Sequence, residues 1–144
     1  MRRIILAMLI SLLITFSSGC GIVGNVEIAQ EGQLHDRLRE LSSSGDSAAI
    51  ADLTDFIWDK VYIFSEGIRV EEINNKVGST VLSQPDRYYS AGNLLVFSLG
   101  GEVVYAADVV PDILVTGGRT EWGADTRLEP RGDRTPAALR LVEP

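Results

Sequence analysis

The pattern of apolar and polar residues separates an apolar run near the N-terminus from a longer segment with regular periodicity. The run covers residues 4–16 and is interrupted only by Ser11 and Thr15. As a helix, thirteen residues at a rise of about 1.5 Å each would span roughly 20 Å, whereas the hydrocarbon core of a bilayer is about 30 Å thick. This length is typical of the apolar region of a signal peptide and is too short for a membrane-spanning helix.

The residues on either side of the run complete the pattern of an export signal. Arg2 and Arg3 precede it, and the small residues 17–19 lie directly before Cys20, the single cysteine of the chain. A basic start, an apolar run and small residues before a cleavage point are the features of a secretory signal peptide. With a cysteine at that point, the segment resembles a bacterial lipoprotein signal.

This resemblance implies that residues 1–19 are removed and that Cys20 then carries acyl chains, such as palmitate, that hold the protein to a membrane. The implied location is the outer side of the cytoplasmic membrane or the outer membrane, with residues 20–33 as lipidated cysteine and tether. Ser17 departs from the family pattern, which prefers an aliphatic residue three positions before the cysteine. The alternative is a conventional cleaved signal, which predicts a secreted domain.

Two later stretches repeat apolar residues at helical spacing. Residues 34–41 predict an amphipathic helix, and residues 70–77 predict a second helix that should end at Gly78. Between them, the alanine-rich residues 48–53 predict a further short helix. The apolar stripes are Leu34, Leu38 and Leu41 in the first helix and Val70, Ile73 and Val77 in the later one.

Strand patterns occupy most of the remaining chain. Residues 56–64 are aromatic and β-branched on both faces, which predicts a central strand covered on both sides. Residues 93–99 and 102–108 flank Gly100-Gly101, and two glycines between apolar runs are a strong signal for a two-residue hairpin. We predict further strands at 113–116 and 137–142 and a long surface loop at 117–134.

These elements predict an α+β fold over residues 34–144, with a small, mostly antiparallel sheet and short helices on one face, after an N-terminal signal helix. The motif Phe-x-Trp-Asp-x-Val-Tyr-x-Phe at residues 56–64 is followed by the helix and the hairpin. Over residues 53–108 this arrangement resembles a group of small uncharacterised bacterial lipoproteins. The resemblance implies architecture and location, and it implies no activity.

Charge and size narrow the classes of partner. The chain has a net charge of −7; without residues 1–19, which contain Arg2, Arg3 and no acid, 125 residues remain with 11 basic and 20 acidic side chains and a net charge of −9. That length suits one ordinary domain. A strongly acidic domain is a poor partner for nucleic acid or an anionic membrane surface, because both bind clustered Lys and Arg. Membrane attachment would therefore depend on the lipid.

No group of residues in the sequence has the spacing of a catalytic or metal site. His35 is the only histidine and is predicted to be solvated on the polar face of the first helix. The acids Asp52, Asp55 and Asp59 lack the spacing of a calcium loop, and no serine lies in a G-x-S-x-G elbow. We therefore predict no catalytic residue, no cofactor and no metal.

The two tryptophans are predicted to differ in their exposure to solvent. Trp58 lies inside the apolar strand pattern and should be part of the core. Trp122 lies in a polar, glycine-rich segment, so we predict that it offers an exposed contact, since exposed aromatic residues often anchor partners.

Three functions fit these observations. The first is a lipid-anchored binding or assembly module without catalysis, whose partner is an envelope protein. The second is an inhibitor or immunity-type lipoprotein, which an exposed acidic patch on a protruding loop such as 117–134 would favour. The third is a hydrolase, which needs a cleft with two facing carboxylates. We favour the first.

Overall fold

Two α-helices and nine short strands form residues 26–144, the part of the chain that this computed structural model describes. The predicted signal helix and Cys20 lie outside those residues. The helices are α1 (Gln33–Ser44) and α2 (Val70–Val77), and a 3₁₀ turn covers Ile50–Leu53. The strands are β1 (Ile28–Ala29), β2 (Ala48–Ala49), β3 (Lys60–Phe64), β4 (Asn93–Leu99), β5 (Glu102–Val109), β6 (Leu114–Val115), β7 (Glu121–Gly123), β8 (Arg127–Pro130) and β9 (Leu139–Val142).

A five-stranded sheet in the order β1-β5-β4-β3-β7 contains the long hairpin and the central strand. All its pairings are antiparallel except the one between β1 and β5. The predicted hairpin is confirmed: Leu99 pairs with Glu102 across Gly100 and Gly101, both of which have positive φ. Strand β3 lies between β4 and β7, so the predicted central strand is confirmed as well.

A second, four-stranded sheet has the order β2-β8-β9-β6 and was not predicted. Its pairings are also antiparallel, except for β6 with β9. The two sheets and the two helices make an α+β fold with mostly antiparallel sheets. Strands β7 and β8 both fall within residues 117–134, so the prediction of one long surface loop there is wrong. Two short strands in that segment pair with partners far away in sequence.

The two faces of the five-stranded sheet are covered by different elements. Alternate residues of β3 point to opposite sides, with Val61 and Ile63 on one side and Tyr62 and Phe64 on the other. The first side shares an apolar cluster with α1 and the second sheet, and the other side packs against α2. The prediction that the helices share one face is therefore wrong, because the central strand is apolar on both faces and each face needs a cover.

Glycines end both helices as their positions require. Gly78 has φ 82° and its N–H donates to Asn74 O, so the predicted end of the second helix is confirmed. Gly45 ends α1 in the same way, with φ 75°. The predicted helix at 48–53 is present only as the 3₁₀ turn, because Ala48 and Ala49 pair with β8 instead.

The central strand is shorter than its sequence pattern. It begins at Lys60, and the preceding residues 56–59 depart from the strand, with bends at Phe56 and Asp59. The strict alternation of faces therefore does not extend back to Trp58, whose ring packs edge-on against Phe97 at 5.0 Å between centroids. The same departure leaves Ile57 79% exposed.

The domain also begins earlier than its predicted boundary at residue 34. Strand β1 pairs with β5, Ala29 packs against the larger apolar cluster, and Gln33 already belongs to α1. Part of the predicted 20–33 tether is therefore built into the five-stranded sheet. A two-residue strand of Ile and Ala carries too little periodicity for sequence analysis to find it.

Candidate functional site

A pocket of about 350 Å³ lies between the C-terminal half of α1 and two proline-containing segments, 111–113 and 136–138. Its lining is about equally polar and apolar, and the apolar part includes atoms of Ile113 and Ala137. Polar side chains stand at its opening: Arg39 and Ser43 from α1, and Asp112 from the segment after β5. Small ligand sites combine apolar surface with a few polar groups that fix the orientation of the ligand, and this pocket is more polar than most.

The helix wall of the pocket is held in place by a reciprocal pair of hydrogen bonds. Ser42 is buried, and its hydroxyl donates to Ala137 O at 2.6 Å, while Ala137 N donates to Ser42 O at 2.8 Å. Because Leu38 and Leu41 insert into the core beside it, α1 presents Arg39 and Ser43 to solvent. The apolar stripe thus determines which polar residues of α1 reach the pocket.

The opposite wall is fixed through the backbone. Leu139 N donates to Ile113 O at 2.7 Å, which joins the two proline-containing segments. Asn93 is fully buried and its side-chain oxygen accepts from Leu114 N at 3.1 Å, whereas its Nδ2 has no hydrogen-bond partner among residues 26–144. Asp112 N donates to Ala91 O at 3.1 Å. The position of Asp112 is therefore set by main-chain contacts, which leaves its carboxylate available.

The two charges at the rim are not used within the described part of the chain. Arg39 and Asp112 are both exposed, and neither takes part in an ion pair or a side-chain hydrogen bond between residues 26 and 144. An arginine can bind a carboxylate with two parallel hydrogen bonds, and a carboxylate can accept from an ammonium or amide group. The rim can therefore hold a ligand that carries both kinds of group.

His35 lies close to this pocket but does not have the predicted solvated position. Its side chain is only 12% exposed, and its Nε2 lies 2.8 Å from Val110 O, a contact that joins α1 to the end of β5. Because a backbone carbonyl can only accept, Nε2 is the donor in this contact. The residue joins two elements, and the prediction of a solvated histidine is wrong because α1 lies closer to β5 than its polar neighbours suggested.

A buried acidic network at the far end of β5 was missed by sequence analysis. Asp108 is buried and accepts hydrogen bonds from Tyr88 Oη at 2.6 Å and from Ser90 Oγ at 2.7 Å. Burial, followed by the hydrogen bond to Asp108, raises the pKa of Tyr88 above its usual value. The network fastens the polar connection before β4 to the sheet. The only sequence signal was a single acid at the end of an apolar strand.

The three clustered aspartates also have structural surroundings rather than those of a metal site. Asp59 accepts a hydrogen bond from Gly100 N at 2.9 Å and so stabilises the hairpin turn. Asp52 and Asp55 are exposed. Between residues 26 and 144, no group of three or more His, Cys, Asp or Glu side chains is placed to hold a metal ion.

Trp122 is buried, with 7% of its surface exposed, so the prediction of an exposed contact is wrong. It lies in β7, packs into the larger cluster and is covered by the guanidinium of Arg119 at 4.4 Å from the ring. Trp58 is a core residue, as predicted. A polar sequence environment did not indicate exposure here, because the apolar neighbours of Trp122 come from other strands.

The other two functions would be favoured by an exposed acidic patch on a protruding loop and by a cleft with two facing carboxylates. In place of a protruding acidic loop, Glu121 and Glu129 are ion-paired with Lys60 and Arg140. Two other surface pockets each contain two carboxylates, one of them with Glu71 and Glu72. Those carboxylates are exposed, whereas a carboxyl that acts as general acid is typically held in an apolar pocket.

Cys20 lies outside the described residues, so its surroundings are not part of this site. No helix between residues 26 and 144 is long and apolar enough to cross a membrane. Compared with protein-family models, curated proteins and solved structures, the chain gives no significant match.

Proposed function

We propose that the protein is a lipid-anchored protein of the cell envelope, whose domain binds a partner without catalysing a reaction. The observation that carries the proposal is the sequence order of a basic start, an apolar run and small residues directly before Cys20. In this proposal residues 1–19 form the signal helix and are removed, and acyl chains on Cys20 hold the domain at a membrane surface outside the cytoplasm. More than one acyl chain is needed for stable attachment.

The binding part of the proposal is supported by the pocket between α1 and the two proline-containing segments. Its mixed lining of apolar and polar atoms and its available rim charges, Arg39 and Asp112, suit a segment of an envelope protein with a carboxylate and an amine or amide. The reacting groups that sequence analysis looked for are absent from the lining: the pocket contains Ser43 but no histidine beside it. Binding is therefore the chemistry that this pocket supports best.

Acyl labelling in a bacterial host tests the anchor. The wild-type chain, Cys20→Ala and Ser17→Leu are expressed side by side, and the intact mass of the membrane fraction is measured. We expect acyl chains on the wild type, none on Cys20→Ala, and faster processing of Ser17→Leu, which restores the aliphatic residue of the lipoprotein pattern. A shortened, soluble and unlabelled wild type would contradict the proposal and would support the conventional signal.

Photocrosslinking in the intact envelope tests the pocket. A photoreactive residue replaces Ser43 at the rim, and the same residue replaces Lys76, exposed on α2, as the control. We expect a discrete adduct from position 43 that disappears when Arg39→Glu and Asp112→Lys reverse the rim charges. Equal adducts from both positions, or an adduct that ignores the charge reversal, would contradict a role for this pocket.

A further inference from the structure

The chain approaches the domain at one particular end of the five-stranded sheet. Strand β1 runs parallel to β5, with Ile28 opposite Ala106, and β5 runs away from the hairpin turn at Gly100 and Gly101. Val26, two residues before Ile28, therefore lies toward the end of the sheet that carries the hairpin turn. We call this the turn end. Val26 packs in the same apolar cluster as Val103 at that end.

The segment between the proposed lipid and this end is short. Five residues, 21–25, separate Cys20 from Val26. Even when fully extended, a chain rises at most about 3.6 Å per residue, so these six steps reach roughly 20 Å. If Cys20 sits at the membrane surface, the turn end is held within that distance of the lipid headgroups.

Three exposed large apolar side chains lie at the turn end. Leu99 and Val104 are the residues around the hairpin turn and are 43% and 45% exposed. Ile57, 79% exposed, lies two residues before Asp59, whose carboxylate accepts from Gly100 N and whose N–H donates to Ser98 O. Exposed apolar side chains that collect at one place indicate a surface that contacts a partner or a membrane.

The charges at the turn end exclude one kind of membrane surface. Glu102 and Asp59 are exposed there, and Lys60 is ion-paired with Glu121. Because the carboxylates of Glu102 and Asp59 are exposed and the ammonium of Lys60 is paired, this end is expected to repel anionic lipids. Apolar side chains can still enter the headgroup region of a neutral, zwitterionic surface.

We propose that the turn end is a membrane-contact surface, at which Ile57, Leu99 and Val104 enter the headgroup layer of zwitterionic lipid. This inference rests on the proposed lipid anchor, which brings the surface into reach. It fixes the orientation of the domain: the opposite end of the hairpin, with Asn93 and Val109, points away from the membrane. The pocket between α1 and the proline-containing segments lies next to Val110, at that distal end, where a partner can reach it.

Site-directed spin labelling of the acylated full-length product tests this orientation. Acylation consumes the only thiol of the chain, so Ile57→Cys, Val104→Cys and Tyr89→Cys each provide one labelling site. Tyr89 is the matched control, because it is also exposed and its neighbour Tyr88 bonds to Asp108 at the distal end. The labelled proteins are placed in zwitterionic vesicles, and the accessibility of each label to oxygen and to a water-soluble nickel complex is compared.

We expect labels at 57 and 104 to lose accessibility to the nickel complex severalfold relative to label 89, and anionic lipid to reduce that difference. Equal accessibility at all three positions on an acylated protein would overturn the membrane-contact surface alone. Absence of acyl chains from the purified wild type would overturn this inference together with the anchor. Protection that persists without vesicles and grows with protein concentration would assign the surface to a second copy of the chain and overturn the contact with lipid.

Discussion

The hydroxyl of Tyr88 donates a 2.6 Å hydrogen bond to the buried carboxylate of Asp108, twenty residues away in sequence. This contact joins the polar connection between α2 and β4 to the buried C-terminal part of β5. Ser90 donates to the same carboxylate, so the carboxylate accepts hydrogen bonds from two hydroxyls. A buried carboxylate needs such donors, because each missing partner leaves a costly charge without compensation.

Replacing Tyr88 by Phe removes one of these donors and keeps most of the ring packing. We expect the free energy of unfolding to fall by about 1–3 kcal/mol, since a buried charged acceptor loses a short hydrogen bond. Denaturant unfolding followed by circular dichroism measures the change. Tyr89→Phe is the control, because Tyr89 is exposed and its hydroxyl has no partner between residues 26 and 144, and it should have no measurable effect. Equal losses for the two variants would contradict the role of Asp108.

The same contact predicts how stability changes at alkaline pH. Burial and the hydrogen bond to Asp108 raise the pKa of folded Tyr88 above the usual 10.0. The stabilisation is therefore complete below pH 10 and is lost as the pH rises from there through the folded pKa, since the unfolded state releases its proton first. The advantage of the wild type over Tyr88→Phe should shrink above pH 10. Tyr105, whose pKa burial also raises, is present in both proteins and cancels. A difference that stays constant up to pH 11 would contradict this assignment.

The elements whose signals are local could be predicted from the sequence. The helix at 70–77, its terminal glycine Gly78 and the hairpin around Gly100-Gly101 are all present, because periodicity and glycine conformation act over a few residues. The second sheet as a whole was missed, since Ala48 and Leu128 pair only after the chain has folded back over a long distance. Two of its strands, β6 and β9, were predicted at 113–116 and 137–142, whereas β2, β8 and, in the first sheet, β7 hold too few positions to show alternation.

The candidate site was missed for the same physical reason. Its walls come from α1 and from two segments that begin some seventy and ninety-five residues later, and Ser42 meets Ala137 through contacts that no local pattern encodes. Trp122 shows the opposite error. Its polar neighbours in sequence suggested exposure, but its neighbours in space are apolar residues of β3 and Arg119. Burial of a large side chain is decided by tertiary partners, and local composition is a poor guide to it.

The side chain of Asn74 holds the segment that follows α2 in place through hydrogen bonds to its backbone. Its side-chain oxygen accepts from Val81 N and Leu82 N, and its Nδ2 donates to Leu82 O. Three hydrogen bonds of this kind contribute about 0.5–1.5 kcal/mol each. We expect Asn74→Ala to lower the free energy of unfolding by about 2–3 kcal/mol in a urea titration. Asn75→Ala is the matched control on the same helix; it is exposed, so the better helix propensity of Ala should stabilise it slightly. If both variants changed the free energy of unfolding by a similar amount and in the same direction, this role of Asn74 would be refuted.

Gly92 lies where any side chain would collide with the backbone of the neighbouring strand. A Cβ atom there would lie 2.0 Å from Val109 O and 2.6 Å from Val109 C. Because Asn93 pairs with Val109 directly beside Gly92 and the pairing continues from there to Phe97 and Tyr105, neither strand can move aside without breaking hydrogen bonds. We expect Gly92→Ala to lower the free energy of unfolding by about 3 kcal/mol, measured by thermal unfolding. Gly123→Ala should cost less than about 1 kcal/mol, since the nearest atom to its Cβ is the carboxylate of Asp125, a side chain that can rotate. A harmless Gly92→Ala would show that β5 shifts more easily than its pairing indicates.

Arg119 shields Trp122 from solvent. Its guanidinium lies 4.4 Å from the centre of the indole and also forms an ion pair with Glu143. Shortening this side chain should expose one face of the ring, because no other side chain is stacked on it in residues 26–144.

Tryptophan fluorescence tests this contact in a Trp58→Phe background, where Trp122 is the only tryptophan. We expect Arg119→Ala to shift the tryptophan emission to longer wavelength and to raise its quenching by acrylamide about twofold. An exposed stacked cation contributes only about 0.5–1 kcal/mol, so global stability should change little. Arg134→Ala, exposed and outside this contact, is the control and should leave both signals unchanged. If Arg119→Ala also leaves them unchanged, Trp122 is protected by the strands of the core alone.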